Sequence, residues 1–76
     1  MVTYKYIHEH KVEYDTEDAH IKSGLTYLLS KIEPLEAKVY FNQAHDKKSA
    51  QFEDDDNHQF TLMYKGNYVY ILLSRK

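Results

Sequence analysis

The sequence predicts an α+β domain in which a single long helix packs on one face of a four- to five-stranded, mainly antiparallel sheet, in the order β-α-β-(β)-β-β. Three observations carry that expectation. Tyr68 to Leu73 is the longest uninterrupted apolar run in the chain, and both of its alternating faces are apolar. Ile21, Leu25, Leu28 and Ile32 recur at helical spacing between an acidic start and the only proline, Pro34. Val2–Val12, Leu35–Asn42 and Gln59–Lys65 alternate with a period of two, as half-buried strands do.

In the first strand Val2, Tyr4, Tyr6, His8, His10 and Val12 share one face, read as the inward one. Asp15 and Thr16 are good N-caps, and Glu17 and Asp18 add negative charge where a helix dipole favours it, so a helix is expected from about Thr16 to Glu33. Gly24 sits beside the apolar stripe. A mid-helix glycine costs about 0.5–1 kcal/mol relative to alanine, so a close approach of helix to sheet is the compensating gain. Pro34 ends the helix, because the residue before a proline avoids helical angles.

Leu35–Asn42 is read as the second strand. Residues 43–58 are polar, with Phe52 as the apolar anchor, and are read as a hairpin with a short strand near Ala50–Glu53. Gly66-Asn67 is a two-residue turn signal that would set Tyr64 against Val69, Leu62 against Ile71 and Phe60 against Leu73. The last strand, apolar on both faces, belongs inside the sheet, with the first strand beside it. The crossover through the helix should leave the two strands it joins parallel.

Seventy-six residues make one small domain, 1–76, whose core is thin for want of length. There is no cysteine, hence no disulfide framework and no thiolate zinc site. The net charge of −2, with lysines dispersed, gives no basic field for nucleic acid or anionic lipid. No apolar run approaches the roughly 18 residues of a membrane span. The first residues lack the apolar core of a signal peptide, and a cytoplasmic location is expected. Eight tyrosines are the compositional anomaly.

Candidate chemistry is sparse. His8-x-His10 places two imidazoles on one strand face, but no third ligand is fixed near them. Asp54, Asp56 and His58 imitate the start of a calcium loop. Gln59 then stands where glycine is needed and Lys65 where a bidentate glutamate belongs, so a solvated turn is the reading. Neither glycine lies in a phosphate-binding loop, and no serine has a partnered setting. No enzyme, cofactor or metal is therefore expected.

Ile7, Tyr40, Met63, Tyr68, Tyr70 and Leu72 all fall on the predicted face away from the helix. Aromatics and methionine are enriched at interface centres, and contiguous apolar patches on small proteins mark partners. These six residues are the candidate binding surface. The expected function is a non-enzymatic protein–protein interaction or regulatory module, self-associating as a homodimer or meeting a protein partner. The alternative is a sequence-tolerant binder of single-stranded nucleic acid stacking bases on the same aromatic face. Lys65-Gly66-Asn67-Tyr68 resembles the lysine-glycine-aromatic opening of an RNA-recognition strand, although the second aromatic is displaced and a second helix is missing.

Overall fold

A computed structural model describes residues 1–75. The chain forms β1 (Val2–Ile7), β2 (His10–Asp15), α1 (Ile21–Thr26), a π-helical turn (Tyr27–Lys31), α2 (Pro34–Lys47), β3 (Ser49–Glu53), β4 (Gln59–Gly66) and β5 (Val69–Arg75). The five strands make one sheet in the order β1-β2-β5-β4-β3, with both helices on the same face. All neighbours are antiparallel except β2 and β5, which run parallel. The class is α+β, and the strand apolar on both faces lies at the centre with β2 beside it.

The first expected strand is a hairpin. The turn His8-Glu9 breaks it, with φ of 47° and 71°, the left-handed pair that a type I′ turn demands. Neither residue is glycine or asparagine, so the turn carries no composition signal. Pairing Ile7 with His10 across two turn residues reverses the parity of β1. Ile7 therefore lies under the helices beside Val12, while Val2, Tyr4 and Tyr6 point away from them.

The long helix expected from Thr16 to Glu33 is the short α1 followed by the π-helical turn, and a second helix, α2, comes after Glu33. Residues 16–20 stay out of α1. Asp18 instead accepts hydrogen bonds from the Ser74 hydroxyl (2.6 and 2.7 Å) and the backbone N–H groups of His20 and Ser74, tying the loop to the end of β5. Ile21, Leu25 and Leu28 are buried as the stripe requires. Pro34 does close this segment, and it also opens α2 as the first helical residue, a position its fixed φ suits. The stretch Leu35–Asn42 is thus helix and not strand. Its buried residues Ala37, Phe41 and Ala44 are spaced by four and three, while Leu35 and Val39, half of the apparent alternation, are exposed. Lys48 ends α2 in the left-handed conformation (φ 75°).

Residues 43–58 divide between the end of α2, β3 and a short turn, and β3 pairs with β4 from Ser49↔Met63 to Glu53↔Gln59, as the hairpin reading required. The β4–β5 turn is centred one residue later than expected, on Asn67 and Tyr68 (φ 53° and 61°). A bulge between Tyr64 and Gly66 then pairs Tyr64 with Tyr70, Leu62 with Leu72 and Phe60 with Ser74. The core face of β5 is therefore Tyr70 and Leu72, and Val69, Ile71 and Leu73 lie on the other side.

Gly24 makes the close approach expected of it. A Cβ there would stand 2.7 Å from Cε1 and 2.8 Å from Cδ1 of Phe60, whose ring is fully buried and stacks on Phe52 at 5.4 Å. One core joins these residues to Phe41, Leu62, Tyr70 and Leu72.

Candidate functional site

The register decides what the helix-free face carries. Side chains alternate along a strand, and directly paired residues share a face. Tyr6, Lys11 and Val69 form one row across β1, β2 and β5. Tyr4, Glu13, Ile71, Met63 and Ser49 form the next across all five strands. Leu73, Thr61 and Gln51 continue beyond it on β5, β4 and β3, with Val2 and Asp15 paired at the far end of β1 and β2.

No helix covers these rows among the described residues. Tyr6 is 61% exposed, Tyr4 54%, Leu73 43% and Met63 40%, and Val69 and Ile71 between them are half-buried. The two tyrosine rings meet edge to face at 5.8 Å, and Lys11 Nζ sits 4.4 Å from the centre of the Tyr4 ring. Lys65 donates to Glu13 across β5 at 3.0 Å. The face is thus an apolar surface crossed by one charged column, Lys11, Glu13 and Asp15.

Of the six expected surface residues, Ile7, Tyr70 and Leu72 are in the core, because the β1–β2 turn and the bulge between Tyr64 and Gly66 each shift parity by one residue. The Tyr70 ring packs edge-on against Phe41 at 5.0 Å, and burial pushes its phenol pKa up. Tyr40 is on α2, half-buried against Phe52 at 5.3 Å. Tyr68 is 76% exposed at the tip of the β4–β5 turn, its N–H donating to the Tyr64 hydroxyl. Met63 alone occupies the helix-free face as expected. Tyr4, Tyr6, Val69, Ile71 and Leu73 are the residues that sequence reasoning missed there. A histidine–glutamate turn gave no cue to place Tyr4 and Tyr6, and only the Asn67 side chain hinted that the second turn begins after Gly66.

His8 and His10 are not neighbours on a strand face. Nε2–H of His8, in the turn, donates to the Leu28 carbonyl (3.0 Å), and Nδ1–H of His10 donates to the Ile7 carbonyl (3.3 Å) while its ring stacks on Phe41. The His8 bond and the His10–Phe41 stack tie the hairpin to the helical layer, and one nitrogen of each ring is used in hydrogen bonding.

The acidic run is more than a solvated turn, because Asp54 is buried in it. The hydroxyl of Ser23 and Nδ1–H of His58 (3.2 Å) donate to Oδ2, and the N–H groups of Asp56 and His58 (2.9 Å each) donate to Oδ1. Burial alone would raise the Asp54 pKa, but these four bonds to its charged form outweigh it and hold the carboxyl at about 2. Ser23, Asp54 and His58 are not a nucleophile set. The carboxylate sits between hydroxyl and imidazole, so the serine faces a carboxylate of pKa about 2, a weak base, and not the histidine. Asp54, Asp56 and His58 do bring ligand atoms within 4.8 Å of one another, yet the Asp54 oxygens are already occupied by this network. The shallow cleft beside it, about 240 Å³, is lined by Lys22, Ser23, Thr26, Tyr27, Lys31 and the acidic residues Asp54, Asp55 and Asp56. The arrangement anchors the β3–β4 turn to α1.

No helix among the described residues is long and apolar enough to cross a membrane. No family model, curated protein or solved structure matches the chain.

Proposed function

We propose that the protein is a non-enzymatic protein–protein interaction module that docks through its helix-free sheet face, a role suited to regulation by association. One observation carries the reading. Both helices lie on one side of the sheet, and the other side leaves Tyr4, Tyr6, Met63 and Leu73 exposed around the half-buried pair Val69 and Ile71. A sheet apolar on both sides is the pattern of a layer that has cover on both. Tyrosine and methionine, enriched in interface centres, supply much of the exposed area.

A charge placed at Ile71 tests this. The side chain is half-buried on the face and remote from the core, so Ile71→Glu should fold, lose association and leave the monomer's secondary structure intact by circular dichroism. Gln51→Glu, on the polar margin of the same face, should change little. The reading fails if Ile71→Glu and Leu73→Glu both fold and keep every association of the parent chain.

The Tyr4, Tyr6 and Lys11 cluster also offers stacking surface and a cation, the elements of a single-stranded nucleic-acid groove. Against that, Glu13 and Asp15 occupy the adjacent strand and would repel phosphates. Fluorescence anisotropy with a labelled oligothymidylate separates the two readings. Binding that weakens steeply with added salt would favour nucleic acid.

A further inference from the structure

We propose that the partner of the helix-free face is a second copy of this chain, laid face to face with the two β2 strands antiparallel. This rests on reading the face as a docking surface, and it adds the identity of the occupant and its orientation.

The charges set the orientation. Along β2 the face reads Lys11, Glu13, Asp15, positive at the hairpin end and negative at the other. A two-fold axis in the seam, perpendicular to the strands and near the Glu13 row, places each strand over its own copy in reverse. Lys11 then meets, twice by symmetry, the partner's Asp15, whose carboxylate also accepts from the N-terminal ammonium of its own chain at 3.0 Å. Glu13 lies on the axis over the partner's Glu13, and each of these charges is offset by Lys65 of its own chain at 3.0 Å. The apolar columns also match: Tyr6 lies over the partner's Val2, Val69 over the partner's Leu73, and Ile71 over the partner's Ile71. An axis along the strands through β5 would instead bring Lys11 onto the partner's Lys65, Tyr4 over the partner's Ser49 and Val2 over the partner's Gln51. Like charges and an apolar–polar mismatch disfavour that arrangement.

The size fits a pair of copies. Five strands spaced about 4.8 Å apart and about six residues long give a plan of roughly 480 Å², which standing side chains enlarge. Full overlap approaches the roughly 800 Å² per partner of ordinary interfaces. Aligned sheets stack at about −30°, so the facing pairs are neighbours and not strict overlays.

The chain has no cysteine, so single introduced cysteines report geometry without background. The experiment treats Ile71→Cys, Lys11→Cys and Asp15→Cys with a short bismaleimide. Ile71→Cys should cross-link to itself. Lys11→Cys alone and Asp15→Cys alone should stay monomeric on a denaturing gel, and their equimolar mixture should give the heterodimer. Asp15→Lys should weaken association by about ten-fold, and adding Lys11→Asp in the same chain should restore it. Self-linking of Lys11→Cys without the mixed product would overturn the orientation. A parent chain that sediments as a monomer at high micromolar concentration, with Ile71→Cys unlinked, would overturn the second copy as occupant. If Ile71→Glu then abolished binding to a different purified protein, the docking face would stand and only this inference would fall.

Discussion

Gly24→Ala puts the closest helix–sheet contact to the test. Two opposing effects have known sizes. In a helix interior alanine is favoured over glycine by about 0.8–1 kcal/mol, so propensity alone would stabilise the variant. The added methyl, however, would stand 2.7 and 2.8 Å from two ring carbons of Phe60. That ring is fully buried and stacked on Phe52, itself stacked on Tyr27 at 5.7 Å, so it has no free space to turn into. Overpacking of this kind costs about 1–3 kcal/mol. The net expectation is a loss of about 1 kcal/mol, or a Tm lower by about 4–8 °C for a domain of this size. Urea unfolding followed by circular dichroism measures it, with an unchanged m-value showing that only the native state was altered. Phe60→Leu in the same background should recover part of the loss, giving a coupling of about 0.5–3 kcal/mol in a double-mutant cycle. A Gly24→Ala variant more stable than the parent would show that α1 does not lie against Phe60 and would undo the packing described above.

Further outcomes follow from the same contacts. Tyr68→Gly should stabilise the protein by about 1 kcal/mol, because an exposed tyrosine at φ 61° leaves the left-handed position of an Asn-Gly turn; a loss of stability would mean that Tyr68 is a strand residue. Asp54 contributes stability through a depressed pKa, so that contribution is complete above the ordinary aspartate value of 3.8 and is lost as pH falls from there through about 2. In Asp54→Asn the acid limb of a Tm-against-pH profile should flatten, and an unchanged limb would remove Asp54 as its source. Leu72→Asp should unfold the chain whereas Leu73→Asp should fold, since only the first is in the core; equal effects by circular dichroism would contradict the β5 register. A zinc titration by calorimetry should show at best weak binding to His8 and His10, and a tight one-to-one isotherm abolished by His8→Ala would refute that.

The signals legible in the sequence were those confined to one element. The α1 stripe, the role of Gly24, the central place of β5 and the weak strand near Phe52 could all be read from local periodicity. What could not be read was the parity passed through a turn. His8-Glu9 adopts left-handed angles with residues that rarely choose them, and beside the second turn a bulge between Tyr64 and Gly66 inserts one residue; each displaces a whole strand face by one residue. That is how Ile7, Tyr70 and Leu72 were expected on the open face when they form the core beneath the helices. In α2, alternation and a helical stripe shared Ala37 and Phe41, and only Ala44, one turn further on, distinguishes them. Asp54 looked solvated because its partners are a serine 31 residues away and the backbone of its own turn.

The most direct test of the helix-free face as an interface is solvent paramagnetic relaxation of methyl-labelled protein at two concentrations. At millimolar protein the methyls of Val69, Ile71 and Leu73 should be shielded from a soluble gadolinium chelate, and at tens of micromolar they should relax markedly faster. Leu62 and Leu72 should stay silent at both. Ile71 methyls relaxed as strongly at millimolar as in the dilute sample would contradict a self-covered face.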